Sequence, residues 1–117
     1  MTQSALERTF LTWWMAFGDR DDMPDEEHMF HPTRKWRLDF AWPDAMVSVE
    51  MQGMAGKSGK SGHTTWKGYA NDCDKINAAQ ELGWIVLQYT REHTSNRDAR
   101  HMINQVMNVL EIRRRNV

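Results

Sequence analysis

The chain has 117 residues, 40% of them hydrophobic and 10% aromatic, which suits one compact domain with a modest core and argues against disorder. Its single cysteine, Cys73, excludes an internal disulfide and a Cys-rich zinc site, and no stretch approaches the roughly 18–20 apolar residues that a membrane span needs. The net charge of -1 divides unevenly, because residues 1–30 hold seven acidic and two basic residues and residues 31–117 hold nine acidic and thirteen basic ones. We expect a single soluble domain, residues 1–117, with an acidic leader on a basic body.

The first predicted element is a helix from Ser4 to Phe17. Ser4 and Glu7 fit a capping box, since each side chain can accept a hydrogen bond from the backbone N–H group of the other residue. Gly18 is expected to end the helix. The apolar residues that recur at helical spacing are Leu6, Phe10, Trp13, Trp14 and Phe17.

A hairpin of two strands follows an acidic loop. The loop is predicted at residues 19–27 and leads into a short edge strand at residues 28–30. Residues 35–42 and 45–52 each alternate between apolar and polar side chains, with a turn signal at residues 43–44. The side chains predicted to share the core face are Trp36, Leu38, Phe40, Trp42, Ala45, Val47, Val49 and Met51.

The second half of the chain predicts helix, strand and helix. Residues 53–62 form a glycine-rich loop, residues 65–82 a helix that ends at Gly83, residues 84–90 a central buried strand, and residues 96–115 the last helix. The expected apolar side of the middle helix comprises Trp66, Tyr69, Cys73, Ile76 and Leu82. The fold class is therefore α/β, in the order α-β-β-β-α-β-α, with a small mixed sheet flanked by helices and the last strand beside the hairpin.

Two carboxylates lie on the polar face of the predicted hairpin. A two-residue turn would place Asp39 opposite Ser48 and diagonal to Glu50, whereas a four-residue turn would place Asp39 directly opposite Glu50. Either register keeps the carboxylates within roughly 5–8 Å. Carboxylates this close repel each other unless a proton or a cation lies between them, and Mg²⁺ typically takes one or two carboxylates with water and phosphate oxygens. Alternatively, both are solvent-facing strand residues, with Arg37 as an ion-pair partner.

The residues around this pair favour a phosphate-handling site. Gln52 continues the polar face, and His63 follows the loop that contains Lys57 and Lys60. The polar side of the next helix comprises Lys67, Asp72, Lys75 and Asn77. A metal ion at the carboxylates would polarise a phosphate and lower the pKa of a bound water, while His63 or a lysine would handle protons or neutralise charge.

The chain resembles small phage and bacterial endonucleases of the PD-(D/E)xK superfamily, in particular those similar to very-short-patch-repair endonucleases. The resemblance is carried by the linked segments WRLDFAWP, VEMQG, GHTT, DCDKINAA and GWIVLQYT, and it extends to the LERTFLTWW helix and the last helix. It implies a restriction-endonuclease-like core and a metal-dependent DNA endonuclease with Mg²⁺ or Mn²⁺ as cofactor. It also implies a cytoplasmic location in a bacterial or phage-infected cell. One active site cuts one strand, so cleavage of both strands would favour a homodimer.

The resemblance also implies roles for individual residues. Asp39 corresponds to the metal-binding aspartate, Glu50 to the second acidic ligand, and the Met51 carbonyl to the backbone ligand. Glu7 matches the position where many members place a further acidic residue, which can act through water. His63 resembles a loop histidine for which proton handling is expected.

The chain departs from the superfamily motif at Gln52, where lysine is usual. A glutamine supplies no positive charge, so we expect Gln52 to orient the attacking water. The candidates to supply the missing charge are Lys57, Lys60, Lys67, Lys75 and His63. Asp72 and Lys75 match recurrent positions of the DCxKxNAA helix and are expected to support the site. The departure leaves two alternatives: an inactive nuclease fold that binds DNA or a partner protein, and a structural or assembly protein without a nucleic-acid partner.

The residues expected to contact DNA are Lys57, Lys60, Trp66, Lys67 and Lys75. Trp66 is the candidate for base stacking and the lysines for phosphate contacts. The terminal run at residues 113–115 is either solvated or in contact with phosphates. The acidic residues 19–27 should lie away from the DNA path, and finding them beside the site would count against the nuclease interpretation.

Overall fold

The computed structural model describes residues 3–53 and 62–116, and the side chains of all of these except residues 62–65. The elements are α1 (Ala5–Phe17), β1 (Asp25–Met29), β2 (Arg37–Trp42), β3 (Val47–Met51), α2 (Gly62–Glu81), β4 (Ile85–Tyr89), a 3-10 helix (Arg91–Thr94) and α3 (Ala99–Arg115). This is the predicted order, with the 3-10 helix added. Within these residues, none of the helices is both long enough and apolar enough to cross a membrane.

The four strands form one mixed sheet in the order β1-β2-β3-β4. β1 and β3 pair with β2 in antiparallel fashion, and β4 pairs with β3 in parallel, so α2 is the crossover between them. β4 therefore lies beside the hairpin, as predicted, but its interpretation as a central strand is wrong, since it ends the sheet. Its apolar sequence reflects two covered faces: Ile85 and Leu87 pack on one side of the sheet and Val86 on the other.

The turn between β2 and β3 selects one of the two registers considered from the sequence. Phe40 pairs with Val49 and Trp42 with Val47, which makes the turn four residues long. Met46 takes a left-handed backbone conformation at the end of this turn, with a φ of 54°. The register places Asp39 opposite Glu50.

The two faces of the sheet carry cores of different size. On one face, α1 and α3 pack against β2 and β3, and the Phe10 and Phe40 ring centroids are 4.9 Å apart. On the other face, a smaller cluster forms beneath the end of α2 from Leu38, Ala41, Ala79 and Trp84. Each large apolar side chain buried in this way contributes about 1.5–3 kcal/mol to folding.

The start and end of α1 are as the sequence predicts. Ser4 and Glu7 form the capping box, and Gly18 closes the helix through its N–H group, which donates to the Trp14 carbonyl. A side chain at Gly18 would collide with the Trp14 indole, because an added Cβ would lie 2.7 Å from the ring. The Trp14 Nε1–H group donates to the Asp19 carbonyl at 3.0 Å and so fixes the start of the acidic segment.

The acidic segment differs from its prediction as a loop. Residues 25–27 form the first part of β1, although acidic residues have low strand propensity. Pairing with β2 outweighs that propensity, and charged side chains are common on an edge strand. The predicted strand at residues 28–30 is therefore displaced towards the N-terminus.

The predicted apolar side of α2 is wrong for its first half, and Leu82, which follows the helix, is also exposed. Trp66 is 73% exposed and Tyr69 62% exposed, while Ala79 is fully buried. The side chains of residues 66–72 are all exposed, so the helix packs on the sheet through its C-terminal half. The helical spacing of the aromatic residues thus marks a face that the described residues leave uncovered.

The basic end of α3 is tied to its own chain. The Arg114 guanidinium lies 2.7 Å from an Asp22 oxygen and 2.9 Å from an Asp44 oxygen. Its hydrogen bonds to Asp44 hold the pKa of that carboxyl below its ordinary value. Arg113 donates to the Ala45 carbonyl at 2.9 Å. Two members of the terminal run therefore hold the β2–β3 turn in place.

Ser48 provides a stability test of the core. It is fully buried in β3, and its hydroxyl finds no hydrogen-bond partner among the described residues. A buried hydroxyl without a partner is destabilising. We expect Ser48→Ala to raise the free energy of unfolding by about 1 kcal/mol, measured by urea denaturation.

The matched control for Ser48→Ala is Ser4→Ala. The same chemical change there removes the cap of α1 and should lower stability by about 1 kcal/mol. A loss of stability in Ser48→Ala would show that its hydroxyl makes a stabilising contact, contrary to our expectation.

Candidate metal centre

The site lies where the β2–β3 ladder ends. The last paired residues are Phe40 and Val49, and beyond them carboxylates take part in the backbone hydrogen bonding. The Asp39 N–H group donates to Glu50 Oε2 at 2.7 Å, and the Met51 N–H group donates to Asp39 Oδ2 at 2.9 Å. Each carboxylate thus holds the opposite strand at the point where the ladder stops.

The alternation of β2 shifts by one residue at Asp39. Leu38 and Phe40 were predicted to share a face, but Leu38 packs in the cluster beneath α2 and Phe40 packs with α1 and α3. In β1, Glu27 lies between the pairs formed by Glu26 and His28, opposite Asp39, and has a left-handed φ of 54°. Such a conformation in a residue other than glycine costs on the order of 1–3 kcal/mol, and strain of this kind is frequent at functional sites.

Three carboxylates gather beside this irregularity. Glu7, Glu27 and Asp39 are each half-buried, and one oxygen of each lies within 4.8 Å of the others. Glu7 also accepts the Ser4 N–H group at 3.3 Å, so one side chain both caps α1 and faces the cluster. This donor set can accept a hard divalent cation, which prefers oxygen ligands.

Glu27 is the member that sequence reasoning missed. Residues 19–27 were expected to lie away from the site, and this is wrong at Glu27, because β1 pairs with β2 and carries Glu27 to Asp39. The signal that could have found it was the possibility of pairing residues 25–29 with β2. The position of Glu27 adds negative charge beside the site and therefore counts against the nuclease interpretation.

Glu50 is paired with a lysine from α2. Its side chain is almost fully buried, and Oε1 accepts from Lys75 Nζ at 2.5 Å. The same ammonium donates to the Arg37 carbonyl at 3.0 Å. Lys75 was expected to support the site and contact DNA, and the structure places its charge directly on Glu50. Its contact with DNA stays a prediction.

The electrostatics of the cluster favour a shared proton or cation. Burial, together with repulsion from Glu50 and Glu7, raises the pKa of Asp39 to about 8, against the opposing effects of the Met51 N–H group and Lys75. Burial also raises the pKa of Glu50, although Lys75 opposes this. For Lys75, burial disfavours the charged form, but attraction to Glu50 outweighs it and raises the pKa. One ammonium therefore faces more carboxylate charge than it can neutralise.

The other predicted site residues are placed as follows. The Gln52 side-chain amide donates to Gln88 Oε1 at 2.9 Å, and its backbone N–H donates to the Tyr89 carbonyl at 2.7 Å. Met51 is buried, and its carbonyl as a metal ligand stays a prediction. Trp66 and Lys67 are exposed on α2. The predicted residues that lie outside the described ones are Lys57, Lys60 and the side chain of His63.

No model of a known protein family, no curated protein and no solved structure matches this chain. The fold is a mixed α/β arrangement of a four-stranded sheet and helices.

The raised pKa of Asp39 predicts how stability depends on pH without divalent cations. In the unfolded chain Asp39 releases its proton near pH 4, whereas the folded chain holds it up to about pH 8. Between these pH values the unfolded state thus binds fewer protons than the folded state. The contribution of protonated Asp39 to the free energy of unfolding is therefore lost as the pH rises from about 4 to about 8. Asp39→Asn should flatten this decline in urea unfolding measured in EDTA.

Glu111→Gln is the control for this pH series. It removes one carboxylate from an exposed position of α3, so its stability should follow the wild-type pH curve. Parallel curves for Asp39→Asn and the wild type would contradict the assignment of the titration to Asp39.

Proposed function

We propose that the chain is a metal-dependent DNA endonuclease with a restriction-endonuclease-like core, which hydrolyses phosphodiester bonds by nicking or structure-specific cleavage. The observation that carries the proposal is the facing pair of Asp39 and Glu50 at the end of the β2–β3 ladder, with Lys75 on Glu50. The sequence resemblance to PD-(D/E)xK endonucleases depends on the same residues.

The proposed cofactor is Mg²⁺ or Mn²⁺. The oxygens of Glu7, Glu27 and Asp39 lie within 4.8 Å of one another, and carboxylate oxygens are the ligands that hard divalent cations prefer. We propose these residues as ligands, together with Glu50 and the Met51 carbonyl. When bound, the cation would polarise a phosphate oxygen and lower the pKa of a bound water.

Glu27 makes cation binding a condition for DNA binding at this site. With Glu7, Asp39 and Glu50, it forms a carboxylate group that repels phosphate when no cation is bound. The negative charge that Glu27 adds to the site is compatible with the proposal if Glu27 is itself a ligand of the cation. It also distinguishes the proposal from a surface that attracts DNA through basic residues alone.

Lys75 supplies the charge that the motif lacks at Gln52. Its ammonium is held by Glu50 and the Arg37 carbonyl, and it is only 14% exposed, so its position is fixed before a substrate binds. A preorganised ammonium at this place stabilises negative charge that develops on a phosphate. The Gln52 amide, one residue beyond the end of β3, is proposed to orient a water molecule.

The alternative is an inactive nuclease fold that binds DNA or a partner protein. The contacts of Glu50 favour it, because both carboxylate oxygens already accept hydrogen bonds, one from the Asp39 N–H group and one from Lys75. The amide of Gln52 is also hydrogen-bonded, to Gln88. These groups are therefore satisfied without a metal.

Nicking of supercoiled plasmid separates the two functions. With Mg²⁺ or Mn²⁺, the wild type should convert the plasmid to open circles, and Asp39→Asn should lose about 100-fold or more in rate, because the variant weakens cation binding. Glu27→Gln should lose at least tenfold and should require more metal. Isothermal titration with Mn²⁺ measures the affinity directly.

Glu111→Gln again serves as the control for nicking, since it removes an exposed carboxylate of α3 that lies outside the site. A wild type that shifts DNA on a gel but leaves the plasmid as intact as the variants do would favour the inactive alternative. A wild type that neither cuts nor binds DNA would favour a structural or assembly role.

Lys75→Met tests the replacement of the motif lysine. Nicking should fall by about 100-fold, because loss of an electrostatic donor at a reacting phosphate has an effect of this order. The double variant Lys75→Met/Gln52→Lys places an ammonium two residues after Glu50, where the motif has its lysine, and should recover at least tenfold in rate. Thermal melts confirm that both variants fold, and undiminished nicking by Lys75→Met would contradict the assignment.

A further inference from the structure

A cluster of basic side chains lies in the connection between β1 and β2. We name residues 30–37 the basic loop; it contains Arg34, Lys35 and Arg37 and no acidic residue. All three side chains are exposed, and none forms an ion pair with the described residues. Their charges therefore differ from that of Arg114, which Asp22 and Asp44 neutralise.

The basic loop is organised around one indole ring. The Arg34 guanidinium carbon lies 3.9 Å from the Trp36 ring centroid. The Phe30 ring stacks with the same indole, with 6.4 Å between the ring centroids. His31 Nδ1 accepts the N–H groups of Thr33 at 3.2 Å and Arg34 at 3.0 Å. A guanidinium stacked on an aromatic ring keeps its N–H edge for an anion, and its orientation is set in advance.

The basic loop adjoins the carboxylate cluster. Arg37 is the first residue of β2, and Asp39 follows two positions later, a rise of about 7 Å along a strand. The Arg37 carbonyl also accepts Lys75 Nζ, which holds Glu50. Arg37 thus adjoins the proposed cation site, and Arg34 and Lys35 precede it in the same loop.

We propose that the basic loop binds the phosphodiester backbone of the DNA beside the scissile phosphate. The inference rests on the proposed function, because the DNA is taken to run from the carboxylate cluster onto the basic loop. Arg34 and Lys35 contact phosphates, and such contacts position a strand without reading its bases. Charge complementarity selects the partner, because three exposed cationic side chains close in sequence to the proposed cleavage site fit a polyanion.

The test is the salt dependence of DNA affinity. Arg34→Gln/Lys35→Gln is compared with the wild type by fluorescence anisotropy in Ca²⁺ at several KCl concentrations, with a labelled duplex and a single strand of equal length. Each lost phosphate contact reduces the slope of log K against log salt by about 0.9 for duplex and about 0.7 for single strands. We expect a slope reduced by between one and two units and an affinity at least tenfold lower at the lowest salt.

The control is Arg97→Gln/Arg100→Gln, which removes the same charge. Arg97 pairs with its neighbour Asp98, and Arg100 lies on the Phe17 ring at the far end of α1 from Glu7. Its slope should equal that of the wild type. Arg34→Lys keeps the charge but not the stacked guanidinium, so the slope should persist while affinity falls a few-fold.

The outcomes separate this inference from the proposed function. If the wild type binds and nicks DNA but Arg34→Gln/Lys35→Gln shows the same slope of log K against log salt, the role of the basic loop is overturned and the proposed endonuclease function stands. If the slope falls in Arg34→Gln/Lys35→Gln but the wild type does not nick the plasmid, DNA binding by the basic loop is supported and the endonuclease function is rejected. Equal losses in the control pair, or no DNA binding by the wild type at low salt, would overturn the inference.

Discussion

The buried carboxylate of Glu50 is the constraint on which the site depends. A charge removed from water inside a protein costs several kcal/mol unless it is paired and hydrogen-bonded. Glu50 meets this condition through the Asp39 N–H group on one oxygen and Lys75 on the other. The first contact ends the β2–β3 ladder, and the second fixes the face that α2 presents to the sheet. Strand pairing and helix docking are thus joined through one side chain.

The neighbours of Glu50 adjust to this arrangement. Because the Asp39 N–H group is directed to a carboxylate, β2 loses its regular alternation there, and Leu38 turns to the opposite core from Phe40. Glu27, opposite Asp39 in β1, takes a left-handed conformation. The result is a group of carboxylates with one ammonium, in which burial and then repulsion from Glu50 raise the pKa of Asp39.

The distribution of charge on the chain is more specific than its total. The acidic leader is divided between separate uses, since Asp22 is neutralised by Arg114 while Glu27 joins the carboxylate cluster. On the basic side, Arg113 and Arg114 hold the β2–β3 turn, whereas the basic loop keeps exposed charges. A near-neutral protein therefore has a strongly polarised end of its sheet, with carboxylates and basic residues adjacent.

Patterns in the sequence predicted the order of the helices and strands, but not the 3-10 helix or the start of β1 in the acidic segment. The capping box of α1, the stop at Gly18 and the hairpin follow from side-chain period and turn residues, which act over a few residues. The parallel return of β4 follows from the rule for a strand–helix–strand crossover. The same patterns named Asp39, Glu50 and Lys75 as candidates, and the family resemblance added Glu7. They could not choose between the two turn lengths, because both preserve the alternation.

Tertiary contacts decided which side chains of the site are neighbours. Glu27 reaches Asp39 only because an acidic segment pairs as an edge strand, and Lys75 reaches Glu50 only because the C-terminal half of α2 packs on the sheet. The apolar spacing of α2 was read as a buried side, yet Trp66 and Tyr69 are exposed. The sequence by itself determined the local elements, since their free energies depend on neighbours along the chain. The site was decided by the packing of distant segments, where the cost of an unpaired buried charge governs which side chains meet.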